Sequence, residues 1–322
     1  MKIVFHGTNA GNFRHGFEAL LDAPHEIVDL PDELNSAAER GHYASADIIV
    51  GTSLGAAEPH PAKVRLFHSP AAGTDRIDPS RLPPGARLCN CFGHEQAIAE
   101  YCFAALLQRH VPLADADRDL RQGQWTYWAG QPGALRTELG SQTIGLLGFG
   151  HIGKAIASRA KAFGMRVVAA NRSPVAASPL VDQSFGLDAL VPFMGAADAI
   201  VVSLPLTDET KGIVGAQAIG AMRPQAVILN VGRGPVIEEA ALFDALKNNR
   251  IGGAIIDTWY TYPTPTKPNG LPSALPFHTL GNLVLTPHMS GWTHGTVRRR
   301  QATIADNIRR LSNGEPLCNG VA

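Results

Sequence analysis

Three polar residues stand directly after apolar runs in the second half of the chain. Arg233 lies in Asn230-Val231-Gly232-Arg233-Gly234, Asp257 closes Gly253-Ala254-Ile255-Ile256, and His288 lies in Thr286-Pro287-His288-Met289-Ser290-Gly291. Open α/β sheets bind ligands beyond the carboxyl ends of their strands, so groups at three successive strand ends are expected to face one crevice. Arg233 would hold a carboxylate through a forked pair of hydrogen bonds. His288 would give or take a hydroxyl proton near neutral pH. Each has a plainer reading alone, a surface salt bridge for Arg233 and a satisfied structural histidine for His288. Their pairing behind a dinucleotide motif points to hydride transfer on a small carboxylic acid.

That motif is the strand Thr143-Ile144-Gly145-Leu146-Leu147, running into Gly148-Phe149-Gly150-His151-Ile152-Gly153 and then a helix from Lys154 to Phe163. Gly148 would allow the tight turn, Gly150 the approach of a pyrophosphate, and Gly153 close packing of helix on sheet. The helix start offers free N–H groups to the phosphates. Ile156, Ala160 and Phe163 are expected on its buried face. An acid is expected about 20 residues past the glycines to bind the ribose of NAD. This chain has Ala170-Asn171-Arg172-Ser173 there. Asn171 removes the charge that would repel a 2′-phosphate, and Arg172 and Ser173 could bind one. NADP(H) is therefore expected over NAD(H), unless Arg172 merely covers the adenine face.

Strand-like and helical runs alternate almost throughout, which predicts α/β folding with parallel sheets. The first third carries strands at Ile3–Phe5, Glu26–Val28, Asp47–Gly51, Val64–His68 and Arg87–Asn90, with a helix near Phe17–Leu21. A helical stretch from about Ala97 to Gln122 follows, broken by Pro112. Six strands then begin at Thr143, Arg166, Ala199, Ala226, Gly253 and Leu283, matching a complete doubly wound sheet. An amphipathic helix is expected over Thr296–Leu311. Ala46-Asp47-Ile48-Ile49-Val50 loosely echoes Ala197-Asp198-Ala199-Ile200-Val201, which suggests two similar open sheets.

The chain has 322 residues and zero formal net charge, so about two domains are expected and nothing favours a nucleic-acid partner. No apolar run approaches the ~18 residues of a membrane span. Cys89, Cys91, Cys102 and Cys318 lack zinc or redox spacing, so no metal is expected, and a reducing cytoplasm fits.

These features together resemble the D-isomer-specific 2-hydroxyacid dehydrogenase family, which also holds formate and phosphite dehydrogenases. The resemblance covers nearly the whole chain. It rests on Ala72-Gly73-Thr74-Asp75, Ala99-Glu100, the glycine motif, Ser203-Leu204-Pro205-Leu206-Thr207, Thr210, Asn230–Gly234, Asp257 and Thr286-Pro287-His288. It implies two doubly wound open-sheet lobes, a Rossmann domain over residues 96–289 inserted in a flavodoxin-like substrate domain of residues 1–95 and 290–322. It further implies a homodimer through the cofactor lobe and glyoxylate/hydroxypyruvate reductase-like activity on a small 2-keto or 2-hydroxy acid. Ala72 and Gly73 would hold the substrate carboxylate beside Arg233. Leu204, Pro205, Thr210, Val231 and Gly232 would line the cofactor, with Asp257, Ser290 and Gly291 near the nicotinamide.

Where the family has a catalytic Glu, five residues after Asp257, this chain has Tyr262, and no acid lies between Asp257 and Asp306. Tyr262 can orient the His288 ring but adds no negative charge, so keto-acid reduction is expected to favour acidic pH. Formate dehydrogenases also lack that Glu and resemble this chain at Ser290-Gly291, but His94 stands where they bind formate through Asn. A formate-like dehydrogenase is thus one alternative, and a non-catalytic dinucleotide-sensing protein another. His94 and Trp292 are expected as further substrate contacts. Trp125, Trp128, Trp259, Tyr260, Tyr262 and Trp292 form either a bulky apolar substrate pocket or ordinary packing.

Overall fold

The apolar runs of the N-terminal third become strands of one parallel sheet. In the computed structural model, which describes residues 1–176, 178–264 and 266–321, the chain divides into two units. One is Met1–His94 with the stretch from Trp292 onward, and the other is Glu95–Gly291.

The N-terminal unit contains β1 (Lys2–His6), β2 (Glu26–Leu30), β3 (Ile48–Gly51), β4 (Leu66–His68) and β5 (Arg87–Cys89), in the order β2-β1-β3-β4-β5. All pairs are parallel. Alternate residues go to opposite faces. Ile3, Phe5, Ile48, Val50 and Leu66 meet Phe13, Phe17 and, from the C-terminal helix His294–Asn313, Ile304 and Ile308. Val4, Ile49 and Phe67 pack on the other side with Tyr43 and Leu54. Two short helices are α1 (Gly7–Gly11) and α2 (Ala37–Ala44). The helix expected near Phe17–Leu21 is a single 3₁₀ turn over Phe17–Leu20, entered from Gly16 at φ 71°. That left-handed residue separates it from α1, leaving too few residues to propagate an α-helix.

The central unit opens with α3 (Glu95–His110) and α4 (Leu113–Arg121), separated at Pro112 as expected. Its strands are β6 (Thr143–Leu147), β7 (Arg166–Asn171), β8 (Gln183–Gly186), β9 (Ala199–Val202), β10 (Val227–Asn230), β11 (Gly253–Ile256) and β12 (Leu283–Leu285). Their order is β12-β11-β10-β9-β6-β7-β8, all parallel. Interleaved helices are α5 (His151–Ala162), α6 (Leu190–Gly195), α7 (Ala216–Gly220) and α8 (Glu239–Lys247). The sheet is buried on both faces, as a parallel sheet must be. Leu147, Val168, Val202, Ile228 and Ile256 face α6–α8. Ile144, Leu146, Val167, Val201, Leu229 and Ile255 face α3 and α5.

Two expectations need correction. Among the described residues the sheet has seven strands, not six: β8 pairs with β7 from Val168↔Gln183 to Asn171↔Gly186. Its sequence, Gln183-Ser184-Phe185-Gly186, is mostly exposed at the sheet edge and carries no apolar run. Phe163 ends α5 half-exposed, stacked on Phe103 at 5.0 Å, whereas Ile156 and Ala160 are buried as expected. The echo between the two sheets has a structural basis. Asp47 accepts from the Lys2 N–H at 2.7 Å and Asp198 from the Thr143 N–H at 2.8 Å, so each fixes the start of its unit's first strand. Among the described residues no helix is long and apolar enough to cross a membrane.

Candidate active site

The order of strands in the central unit reverses between β6 and β9, which leaves a crevice at their carboxyl ends. Gly148 turns off β6 at φ 101°, and a Cβ there would meet Ser203 Oγ at 2.9 Å. A Cβ on Gly153 would lie 2.3 Å from the Gly148 carbonyl oxygen. At Gly150 a Cβ would meet nothing within 4 Å, so that side of the turn is open. Gly150 caps α5 without a side chain, and a helix start of this kind presents first-turn amides, such as those of Ile152 and Gly153, that suit an anion. The turn therefore fits a pyrophosphate.

Asn171, at the end of β7, bridges this turn. Its Oδ1 accepts from the Phe149 N–H at 3.3 Å, and its Nδ2 donates to the Ser173 carbonyl at 3.0 Å. The second bond requires an amide, which an aspartate could not supply. Arg172 is exposed and lies 3.8 Å from Glu209, in the loop after β9. In that loop Thr210 Oγ1 donates to the Pro205 carbonyl at 2.6 Å and accepts from the Thr207 N–H at 2.8 Å. Thr210 thereby fixes the wall beginning with buried Leu204. Val231 N–H donates to the Val202 carbonyl at 3.1 Å, and Gly232 N–H to Asn230 Oδ1 at 3.1 Å.

Arg233 is wedged between neighbouring loops. A Cβ on Gly232 would lie 2.7 Å from the Leu204 oxygen, and one on Gly234 2.3 Å from the Trp259 oxygen. Only glycines on both sides let the arginine segment pass there. Its Nη1 donates to the Gly232 carbonyl at 2.9 Å. Asn230 Nδ2 donates to the Arg233 carbonyl at 3.0 Å.

Asp257 is fully buried and engages the loop after β12 with both oxygens. Oδ1 accepts from Thr286 Oγ1 at 2.6 Å and from the Met289 N–H at 2.9 Å; Oδ2 accepts from the Ser290 N–H at 2.9 Å. Thr286 spends its only proton on Asp257, so Tyr101 of α3 donates to Thr286 Oγ1, 2.7 Å away. The loop closed on Asp257 contains His288 at φ 58°. A non-glycine residue in that left-handed region costs of order 1–3 kcal/mol and persists only where its surroundings over-determine it. Three hydrogen bonds to one carboxylate provide that constraint.

Tyr262 Oη lies 2.9 Å from His288 Nδ1 and accepts from the Trp259 N–H at 3.1 Å. Burial lifts the Tyr262 hydroxyl above its usual value, against the pull of the Trp259 amide and the Arg233 charge. It therefore stays neutral across the physiological range. A neutral phenol can donate to a bare Nδ1 or accept from Nδ1–H, whereas a carboxylate can only accept. Arg233, His288 and Tyr262, separated in sequence, thus belong to one set of strand ends.

Four candidate residues belong to the N-terminal unit. Ala72 and Gly73 lie in the turn after β4. Asn90 Nδ2 donates to the Ala72 carbonyl at 2.8 Å, and Ser69 Oγ lies 3.3 Å from that of Gly73. The amides of Ala72 and Gly73 donate to nothing among the described residues. His94 is half-buried immediately before α3. Trp292 is partly exposed and meets Phe13 edge-on at 5.8 Å. In the central unit, Gly291 follows buried Ser290 and ends the unit.

The aromatic residues of the central unit divide. Trp259 and Tyr260 pack on Phe277 at 6.0 and 6.3 Å, and Tyr260 Oη donates to the Ile237 carbonyl. Trp125 and Trp128 are exposed. Sequence reasoning missed Tyr101 and Glu209. Tyr101 adjoins the noted Glu100, but no local pattern marks its hydroxyl. Glu209 reads as an ordinary loop acid until Arg172 is beside it.

The family model described as "D-isomer specific 2-hydroxyacid dehydrogenase, NAD binding domain" matches residues 103–290. A glyoxylate reductase of Korarchaeum cryptofilum (strain OPF8) is 30% identical over 260 residues, covering 79% of this chain and 74% of that protein. Among solved structures, a D-isomer specific 2-hydroxyacid dehydrogenase family protein from Aeromonas salmonicida subsp. salmonicida A449 is similar at a TM-score of 0.79. It is 26% identical and covers 100% of this chain and 98% of that one. An NADPH-dependent glyoxylate/hydroxypyruvate reductase from Sinorhizobium meliloti, in complex with citrate, is similar at a TM-score of 0.78. It too is 26% identical, covering 100% of this chain and 97% of that one.

Proposed function

The chain belongs to the D-isomer specific 2-hydroxyacid dehydrogenase family and is an NAD(P)-dependent oxidoreductase of small 2-hydroxy and 2-keto acids; from that premise we propose that it is an NADP(H)-preferring reductase of a 2-keto acid to its D-2-hydroxy acid. The observation that carries the reading is His288, fixed at a strand end by the Asp257 loop with Nδ1 on Tyr262. When bound, the nicotinamide supplies the hydride that reaches C2. Arg233 holds the substrate carboxylate and polarises the carbonyl. His288 gives a proton from Nε2 to the carbonyl oxygen, so C=O plus hydride plus proton becomes CH–OH. Tyr262 orients the ring. The unspent amides of Ala72 and Gly73 also suit a carboxylate.

The preference for NADP(H) rests on Asn171, which brings no negative charge, and on the exposed Arg172 and Ser173. Trp125, Trp128 and Leu135 are each exposed apolar side chains of the kind a homodimer face would bury. Four free cysteines suit a reducing cytoplasm.

The test is NADPH or NADH consumption at mildly acidic pH with keto acids from glyoxylate to phenylpyruvate, and formate with oxidised cofactor as a separate arm. Turnover of a keto acid with higher kcat/KM for NADPH is expected, and His288→Ala should lower kcat by about 10²–10⁴-fold. Oxidation of formate alone, or turnover indifferent to His288→Ala, refutes the mechanism. Better efficiency with NADH refutes the cofactor assignment.

A further inference from the structure

A cavity of about 320 Å³ opens in the central unit beside Tyr262. Neither Arg233 nor His288 lines it. Its walls include Trp259, Tyr262, Leu271 and Leu285, with Lys267 and Asn269 as polar groups. The volume is at the small end for organic ligands, and mostly apolar walls with a few polar groups are what such sites show.

The charge is one-sided. Among the described residues that line the cavity, Lys267 alone carries a formal charge. No acid occurs anywhere between Asp257 and Asp306. Lys267 is without a carboxylate partner among the described residues, although its backbone is tied to Thr264 by two hydrogen bonds of 3.0 Å. An occupant with an apolar body and one negative group satisfies walls and charge together.

We propose that this cavity is a second ligand site, separate from the hydride-transfer site, that takes a small aryl or alkyl carboxylate. Trp259 and Leu271 cover the apolar body, and Lys267 with Asn269 receives the carboxylate. Tyr262 is shared: its ring forms one wall, and its hydroxyl reaches His288. Occupancy therefore braces the residue that orients the proposed acid/base group. Only this last consequence rests on the function proposed above; binding itself does not.

Calorimetric titration of the protein with NADPH present, using phenylacetate as the probe, tests the site. Saturable binding is expected, weaker by about tenfold in Lys267→Met and with neutral phenylacetamide. Leu271→Asp places an acid at a wall residue that is 55% exposed, so it is tolerated by the fold and should abolish binding. Arg233→Gln should bind phenylacetate as the wild type does. Where a keto-acid substrate has been found, saturating phenylacetate should leave its KM unchanged. No binding, binding indifferent to both Lys267→Met and Leu271→Asp, or binding lost in Arg233→Gln overturns the proposal. A protein that turns over no keto acid yet passes the titration separates failure of the proposed function from failure of this site.

Discussion

At the scale of the residue, Tyr262 stands where the resemblance implies a catalytic Glu, and its contact with His288 bears on what such a replacement would keep. Orientation survives, because a hydroxyl 2.9 Å from Nδ1 fixes the ring. The negative charge does not. Burial holds the phenol neutral, so nothing at that position favours a charged imidazole. Reduction consumes the ring's proton and needs the charged form, so its rate is expected to fall at lower pH than in a carboxylate-bearing site. Tyr262→Glu should move the falling limb of kcat/KM for reduction upward by about one pH unit or more. A pH–rate profile of both forms checks this, and an unmoved limb contradicts it. Tyr262 was legible by counting from Asp257. Glu209 was not, because its relation to Arg172 arises from two loops that follow different strands.

At the scale of the element, Asp257 is a joint between β11 and the loop after β12, with α3 attached through Tyr101 and Thr286. Sequence placed Asp257 near the nicotinamide; the structure shows both its oxygens committed to holding His288 in its left-handed turn. Asp257→Asn would set an NH₂ against backbone donors. A loss of about 2–3 kcal/mol is expected, since a buried donor is left unsatisfied, together with a fall in kcat. Urea denaturation and kinetics measure both, and an unchanged midpoint would falsify the joint. The strands of the central sheet were readable because they are buried on both faces and appear as unbroken apolar runs. β8 was not, since an exposed edge strand needs no such run. Phe163 misled because helical periodicity marks a face but not where the helix ends.

At the scale of the molecule, the two units should respond differently to acid. His68 is wholly buried at the end of β4, with Nδ1 donating to the Ser69 carbonyl at 3.1 Å and Nε2 accepting from Asn307 Nδ2 at 2.9 Å. Asn307 cannot reverse its amide, because its Oδ1 accepts from the Cys318 N–H at 2.7 Å. The ring is thus held neutral, and burial pushes its pKa from 6.5 down to about 4. Between those values the unfolded chain binds a proton that the folded chain does not. Stability from this group is therefore full above about pH 6.5 and is lost as pH falls towards 4, by up to ~1.4 kcal/mol per pH unit. Amide exchange at pH 7 and 5 should show protection falling in the N-terminal unit, with the pH dependence reduced by one proton in His68→Gln. Equal loss in both units, or an unchanged slope, contradicts the assignment.

The same helix that carries Asn307 also supplies Ile304 and Ile308 to the core that holds Ile3 and Phe5. The first strand of the chain and its last helix are thus halves of one core, with all of Glu95–Gly291 emerging between them. On the ribosome the N-terminal strands are made first but completed last. The central unit is contiguous, has its own sheet and is whole before residue 294 is made. During that interval the apolar face of β1 and β3 has Ala10, Phe13 and Phe17 over it but lacks Ile304 and Ile308, and such partly exposed surface is what chaperones hold. Synthesis therefore reverses the order of the sequence: the nucleotide-binding half is available to fold while the half that begins the chain still waits for its end.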